Sequence, residues 1–200
     1  SMQTAIPLYS DLAPFEQLPI QYSLHRCSAP GKVIEHRDYV ADPGRDCQRE
    51  LAERLLDDLG SAGSVIVYSS FEKTRIRALA KRFPDLAPRL QVIESRLFDL
   101  FSVLKKEYYH PDFHGSTSIK TVLPVLVPAL TYEGMEIGDG DAASAVFALM
   151  AMGTYASDES ARLLALLRTY CKQDTLAMVK LHEALLAVSG TLAQRVGPLD

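Results

Sequence analysis

The stretch Val65-Ile-Val-Tyr-Ser-Ser-Phe-Glu72 joins a short strand to a helix, and it decides the fold class. Residues 65–68 form a continuous apolar run, which is typical of a strand covered on both faces. A helical pattern follows at once, from about residue 71 to 83, and ends before Pro84. A strand that passes directly into a helix is the unit from which α/β folds are built.

Further elements are predicted on both sides of this unit. They are strands at 20–27 and 32–41, a helix at 46–59, a largely helical stretch at 84–110 with a short strand or break near 92–97, a small-residue helix ending near 152, and one long helix or two bent helices at 157–189. This order of elements, with strands first, then a strand–helix unit and then mostly helices, predicts a mixed α/β domain with a twisted sheet.

The bulk composition favours one globular domain over residues 1–200. Hydrophobic residues make up 48% and charged residues 23% of the 200 residues, which is enough apolar material for a sizeable core. A net charge of −4 gives no overall attraction to nucleic acid, so such binding requires a local basic patch. Three widely spaced cysteines favour a reducing cytoplasm, and no apolar run approaches the length of a membrane span. The opening Ser1-Met2 is interpreted as an expression remnant.

A carboxylate interrupts the apolar face of the long C-terminal helical pattern. Its members, spaced three and four apart, are Leu163, Leu167, Tyr170, Cys171, Asp174, Met178, Leu181 and Leu185. A carboxylate on a core-facing stripe is costly unless it is paired or holds a metal. Asp174, one turn after Tyr170, is therefore a candidate functional residue, although a helical aspartate can also pair with a neighbour.

Glu72 has two competing interpretations. Ser69-x-x-Glu72 fits a capping box, which needs a serine and a glutamate at this spacing. Alternatively, a carboxylate just beyond a buried strand lies where α/β folds place their ligands. The sequence leaves both open.

Two basic segments could contact phosphates. The helix after the buried strand carries Lys73 and Arg75, and such a run is either a solvated face or a phosphate contact. Gly115-Ser-Thr-Ser-Ile-Lys120 is either an ordinary helix start or a phosphate-binding one. Asp99 and the His110/His114 loop have no assigned role at this point.

Taken together, these residues resemble the DEDD exonucleases of the ribonuclease H-like superfamily. Those enzymes carry Asp-x-Glu on the first strand, an aspartate after a phenylalanine beyond a central strand, and, in one branch, Tyr-x-x-x-Asp on a late helix. Phe71-Glu72 is similar to the second motif with glutamate replacing aspartate, and Tyr170-Cys-Lys-Gln-Asp174 matches the third in its tyrosine form. The fold implied is a ribonuclease H-like mixed sheet flanked by helices.

Longer segments are more similar still to an uncharacterised bacterial family of unknown-function domains assigned to that superfamily. They are Pro14-Phe-Glu-Gln-Leu-Pro-Ile-Gln-Tyr-Ser-Leu-His25, Val67-Tyr-Ser-Ser-Phe-Glu-Lys73, Gly115-Ser-Thr-Ser-Ile-Lys120 and Tyr170-Cys-Lys-Gln-Asp-Thr-Leu-Ala-Met178. In that family an Asp-Phe-Glu strand comes immediately before a segment resembling residues 3–9, so we expect the first strand to be truncated here. Tyr68 occupies the place of an asparagine that often precedes the second motif.

The resemblance implies a metal-dependent nuclease that hydrolyses phosphodiester bonds in DNA or RNA, of the 3′–5′ exonuclease type. Glu72 and Asp174 would be ligands of two Mg²⁺ or Mn²⁺ ions, and Tyr170 would complete the catalytic set. Two ions about 4 Å apart need several carboxylates. Because two are too few, we expect residues 1–200 alone to be inactive or nearly so.

The resemblance also implies binding partners. Lys73, Arg75 and Lys120 would hold nucleic acid, with a single strand expected, and a fused or partner nuclease domain is a further expectation. The alternative hypothesis is a non-catalytic module, a degenerate nuclease fold retained for nucleic-acid binding or protein interaction.

Overall fold

A computed structural model describes the backbone of residues 2–3, 7–9 and 12–196, and side chains within 7–9 and 12–190. The strands are β1 (Met2–Gln3), β2 (Gln17–Leu18), β3 (Gln21–Ala29), β4 (Lys32–Val40), β5 (Val65–Val67) and β6 (Leu97–Asp99). The helices are α1 (Gln48–Leu59), α2 (Phe71–Arg82), α3 (Ala87–Ser95), α4 (Leu100–Glu107), α5 (Ile119–Leu126), α6 (Gly140–Ala151) and α7 (Ser157–Val196), with a 3₁₀ turn at Pro111–Phe113.

The predicted mixed α/β class is confirmed, but the strands form small sheets. β1 pairs with β2 and β3 with β4, both antiparallel, whereas β5 and β6 are parallel. Within the described residues, these pairs remain three separate two-stranded sheets, so the expected continuous mixed sheet is not formed.

The β3–β4 hairpin is held to α7 by a small polar cluster. His25 on β3 lies opposite His36 on β4, with ring centroids 4.7 Å apart. Thr175 Oγ1 on α7 lies 2.9 Å from His25 Nδ1 and 2.8 Å from Ser23 Oγ. Ser23 Oγ in turn lies 2.9 Å from His36 Nε2. Burial and the nearby charges of His36 and Lys172 lower the pKa of His25 to about 4.

Helix α7 is a single element that packs on two hydrophobic clusters. The sequence left open one helix or two with a bend, and the structure shows one helix of 40 residues. Its Leu163, Leu167 and Tyr170 belong to the larger cluster, which we call the main core. The smaller cluster, which we call the second core, consists of Leu100, Leu104, Phe113, Val122 and Leu181. Asp174 therefore lies on α7 between residues that belong to different cores.

The short strand predicted near 92–97 was placed too early. Residues up to Ser95 belong to α3, and β6 begins at Leu97. Arg96, between them, donates to four carbonyl oxygens of the loop before β5. The acceptors are Leu59 at 3.2 Å, Gly60 at 2.6 Å, Ala62 at 2.6 Å and Gly63 at 2.7 Å. The guanidinium group of Arg96 thus holds the residues that precede β5 next to the start of β6.

No helix in the described part of the chain is both long and apolar enough to cross a membrane. Cys27, Cys47 and Cys171 are free thiols.

We predict that Arg96→Lys lowers the free energy of unfolding by about 1–3 kcal/mol, because an ammonium cannot reach four carbonyl groups in a fork geometry. Urea denaturation measures this change. Arg77→Lys is the matched control, since Arg77 is exposed and forms an ion pair with Glu94, and it should change stability by less than about 0.5 kcal/mol. Equal effects of the two substitutions would contradict the role assigned to Arg96.

The histidine cluster predicts a loss of stability in mild acid. His25 has a pKa lowered from its usual 6.5 to about 4, so its contribution is complete above pH 6.5 and declines as the pH falls toward 4. By pH 5 the expected loss is about 1 kcal/mol, after allowance for the partial exposure of the ring. Unfolding free energies of the native chain and His25→Gln at pH 7.5 and 5 isolate this contribution. A difference between the two chains that stays constant with pH would refute it.

Candidate active site

The candidate site begins at the carboxyl ends of the two parallel strands. Val67 of β5 is in register with Asp99 of β6, so both strands end at one edge. Asp99 Oδ1 accepts hydrogen bonds from the backbone N–H groups of Ser69, at 2.7 Å, and Phe101, at 2.9 Å. Asp99 thus caps α4 and also holds the β5–α2 turn, where Ser69 adopts φ 77°. The role that the sequence left open for Asp99 is therefore structural at least in part.

Glu72 lies in the first turn of α2, beside this edge. Helix α2 begins after Ser70; the Ser69 N–H donates to Asp99 and Ser69 Oγ accepts from the Phe71 N–H at 3.3 Å, so the reciprocal Ser69–Glu72 capping box, one of the two interpretations left open, is not formed. Instead, Glu72 Oε2 is buried without a hydrogen-bond partner among the described residues. Burial raises the pKa of Glu72 to about 7, with smaller contributions from the negative charges of Asp99 and Asp174.

Asp174 approaches the same region from α7. Burial raises the pKa of its carboxyl group, whereas the hydroxyls of Tyr132 and Tyr170 and the charge of Lys120 favour its ionised form. The Tyr132 hydroxyl is buried and completes no hydrogen bond of standard geometry within the described structure, so its interaction with Asp174 is a weak one. The rings of Tyr132 and Tyr170 lie 6.4 Å apart. Asp174 is thus bordered by two phenols and one ammonium group.

The two carboxyl groups differ in how their charge is compensated. The charge of Asp174 contributes to raising the pKa of Glu72, whereas Lys120 and the hydroxyls of Tyr132 and Tyr170 favour the ionised form of Asp174. The neighbouring thiol of Cys171 is buried, which raises its pKa to about 12 and makes it unreactive as a thiolate.

Lys120 connects the site to a small pocket. Its ammonium group favours the ionised forms of both Asp174 and Asp139. A pocket of about 240 Å³ lies beside it, lined in part by Thr131, Tyr132 and Gly138. The structure therefore brings Lys120 to Asp174, although the two are 54 positions apart in the sequence.

Lys73 and Arg75 are engaged elsewhere. Lys73 lies 3.7 Å from Glu94 on α3, which also pairs with Arg77 at 2.6 Å. Arg75 donates to the Gln17 carbonyl oxygen at 3.3 Å and lies over the Phe71 ring at 5.6 Å. Their role as nucleic-acid ligands stays a prediction, and each would have to exchange a partner within the protein.

The residues present fit a metal only in part. Glu72 offers a buried carboxylate oxygen that has no hydrogen-bond partner in the described part of the chain, and Asp174 offers a second carboxylate nearby. Oxygen ligands of this type suit Mg²⁺ or Mn²⁺. In the described part of the chain, however, no group of three or more His, Cys, Asp or Glu side chains is arranged to hold a metal ion. Further carboxylates would be needed for firm binding.

Sequence reasoning missed Tyr132 and Asp139, which approach the site from the segment between α5 and α6. That segment has no periodic pattern that would place a side chain, so no signal marked them. The His110/His114 loop proves to be a cap: His110 Nδ1 accepts from the Asp112 N–H at 3.3 Å at the start of the 3₁₀ turn.

Comparison with known proteins places the chain among proteins without an assigned activity. A curated relative, "Uncharacterized protein UU173" of Ureaplasma parvum serovar 3, is 26% identical over 201 residues, covering 90% of this chain and 29% of that protein. The chain thus spans less than a third of the length of that relative. No solved structure matches the chain.

The family match extends over the first part of the chain. Residues 1–118 match the family described as "Domain of unknown function (DUF2779)". This range contains Glu72 and Asp99, whereas Lys120, Tyr170 and Asp174 lie beyond it. Because the match covers more than half of the residues, the chain belongs to the DUF2779 family of domains of unknown function.

Proposed function

We propose that this domain is part of a metal-dependent nuclease that hydrolyses phosphodiester bonds in DNA or RNA, with a ribonuclease H-like fold of the DEDD type. The observation that carries the proposal is Glu72, whose Oε2 is buried without a hydrogen-bond partner among the described residues, near the charge of Asp174 and at the carboxyl edge of a parallel strand pair. Burying such a group is unfavourable for folding. Ionisable groups whose pKa is strongly shifted by burial cluster at functional sites.

Glu72 and Asp174 would hold the metal, and the metal would activate the attacking water and stabilise the leaving oxygen. Binding a cation would also relieve the repulsion that Glu72 experiences from Asp99 and Asp174. Lys120, next to Asp174, carries the positive charge that would receive a substrate phosphate.

Tyr170 would orient the water and would not act as its base. Burial and the charge of Asp174 raise the pKa of its phenol far above neutrality, so the hydroxyl stays protonated at physiological pH. A protonated hydroxyl near a carboxylate can donate to one oxygen while accepting from a bound water. This places Tyr170 in a positioning role within the proposed site.

The proposal includes a requirement for further acids. The resemblance places an Asp-x-Glu strand before residue 1, and the described β3–β4 and β5–β6 sheets are not joined. Such a strand would supply ligands between Glu72 and Asp174. Residues 1–200 alone would then bind Mg²⁺ or Mn²⁺ weakly and cleave little or nothing.

One observation favours the alternative, a non-catalytic nucleic-acid-binding or protein-interaction module. Tyr68, at the place of the asparagine that the resemblance expects, donates to the Thr117 carbonyl oxygen and stacks edge-on against Phe101 at 5.8 Å. That position has therefore become structural. A fold retained for binding could keep such changes without loss.

We predict that Glu72→Gln stabilises the protein at alkaline pH. The pKa of Glu72 is raised from 4.5 to about 7, so the contribution of its neutral form is complete below pH 4.5 and declines as the pH rises through 7. At pH 8 the variant should unfold with a free energy about 1–2 kcal/mol higher than the native chain, and at pH 5 the two should be nearly equal. Urea denaturation at both pH values measures this. A less stable variant at pH 8 would show that Glu72 is paired in solution.

We predict that cleavage depends on Asp174 in a chain that includes the preceding segment. Such a chain should degrade labelled single-stranded DNA or RNA in Mn²⁺, and Asp174→Asn should reduce the rate by at least about a hundredfold, because a metal ligand is lost. Tyr170→Phe should retain metal binding but lose most of the rate. Asp141→Asn is the matched control, since Asp141 is exposed on α6.

The catalytic assignment has a clear refutation. Unchanged cleavage in Asp174→Asn, or strand binding by the longer chain without any cleavage in Mg²⁺ or Mn²⁺, would favour the non-catalytic module.

A further inference from the structure

We propose that the pocket between the end of α4 and the Gly115–Thr117 loop binds one nucleotide of a single strand, stacking its base on Tyr109 and holding its phosphate with Lys105 and Lys106. This inference rests on the proposed function, because it names a substrate subsite beside the same catalytic region. It concerns residues that the sequence did not single out.

The pocket has the size and the chemical lining that a nucleotide requires. It measures about 400 Å³ and is lined by Lys105, Lys106, Tyr108, Tyr109, Ser116 and Thr117, among others. Glu107 also lines it, and the two lysines outnumber this single acid. Residues with aromatic, hydroxyl and ammonium groups therefore line one cavity.

Tyr109 has the exposure expected of a stacking platform. Its side chain is 74% exposed, and its ring makes no stacking contact with another described aromatic ring. A single exposed tyrosine is common on protein surfaces, and what matters here is that its ring lies beside a pocket that also contains lysines. Nucleobases stack on such rings without sequence preference. By contrast, the neighbouring Tyr108 packs against Phe113 with ring centroids 6.1 Å apart.

The two lysines are available for a phosphate. Both are exposed, and neither forms an ion pair within the described part of the chain. Lys105 lies over the Phe101 ring at 5.7 Å, which fixes its direction without neutralising its charge. Both lysines also suit the negative end of α4, where they occur in the last turn. The interaction of the lysines with the end of α4 does not account for the exposure of Tyr109.

A chain of contacts places this pocket beside the candidate active site. Thr117, on the pocket wall, accepts a hydrogen bond from Tyr68, which directly follows β5. The next residue, Ser69, donates to Asp99, whose charge raises the pKa of Glu72. These contacts connect the pocket wall to the carboxyl edge of the β5–β6 pair, beside which Glu72 lies. A strand with one nucleotide in the pocket would have its neighbouring phosphates near that edge.

The test separates stacking from charge with two probes of equal phosphate number. Fluorescence anisotropy in EDTA would measure binding of the chain to a labelled dT12 and to a twelve-residue abasic oligomer. Tyr109→Ala should weaken dT12 binding at least about fivefold and leave the abasic oligomer unaffected, whereas Tyr109→Phe should bind dT12 as the native chain does. Lys105→Ala/Lys106→Ala should weaken binding of both probes and lower the salt dependence by about 0.7 for each phosphate that is no longer neutralised.

The matched control is Lys32→Ala/Lys81→Ala, which removes the same charge from two exposed lysines outside the pocket. It should change the affinity for dT12 less than twofold. Failure of the native chain to bind dT12, equal effects of the two lysine pairs, or equal weakening of both probes in Tyr109→Ala would overturn the proposal. Preference for a duplex of the same length would also overturn it. Hydrolysis plays no part in this assay, so its outcome is independent of the test on Asp174.

Discussion

The unfavourable burial of charge at Asp174 is the constraint around which the C-terminal half of this domain is organised. Helix α7 packs into the main core through Leu167 and Tyr170 and into the second core through Leu181. Because both contacts are made by one helix, the residues between Tyr170 and Leu181 lie between the two cores. The ionised form of the Asp174 carboxylate is favoured by Tyr170, one turn earlier on α7, and by Tyr132 and Lys120, which come from other segments. These groups thus offset part of the unfavourable burial of one carboxylate.

The second organising feature is the edge where β5 and β6 end. In parallel pairs the carboxyl ends lie together, and the helices that follow start at the same edge. Asp99 uses its carboxylate to hold the backbone there, so it is committed to structure. Glu72 is held in place by the helix but has no partner for its buried oxygen. Asp99 accepts two backbone hydrogen bonds, whereas Oε2 of Glu72 accepts none from the described residues. This difference distinguishes a structural carboxylate from a candidate functional one at the same edge.

Local features were predictable from the sequence, whereas the pairing of distant segments was not. The strand at Val65–Val67 and helix α2 followed from a short apolar run and a periodic pattern, which depend on neighbouring residues alone. The approach of Glu72 to Asp174 was expected only through the family resemblance. Tyr132 lies in an irregular segment and could not be placed at the site by any periodic signal. The capping box failed because its identification used spacing alone, and the helix began one residue later than that spacing required.

The loop before β5 also constrains how the length of this sequence can vary. Surface loops usually tolerate insertions because little depends on their length. Here Arg96 binds carbonyl groups at both ends of that loop, from Leu59 to Gly63. An added residue would move at least one acceptor out of reach of a side chain whose own position is fixed by β6. Evolutionary change in this loop is therefore limited to substitutions that keep its length.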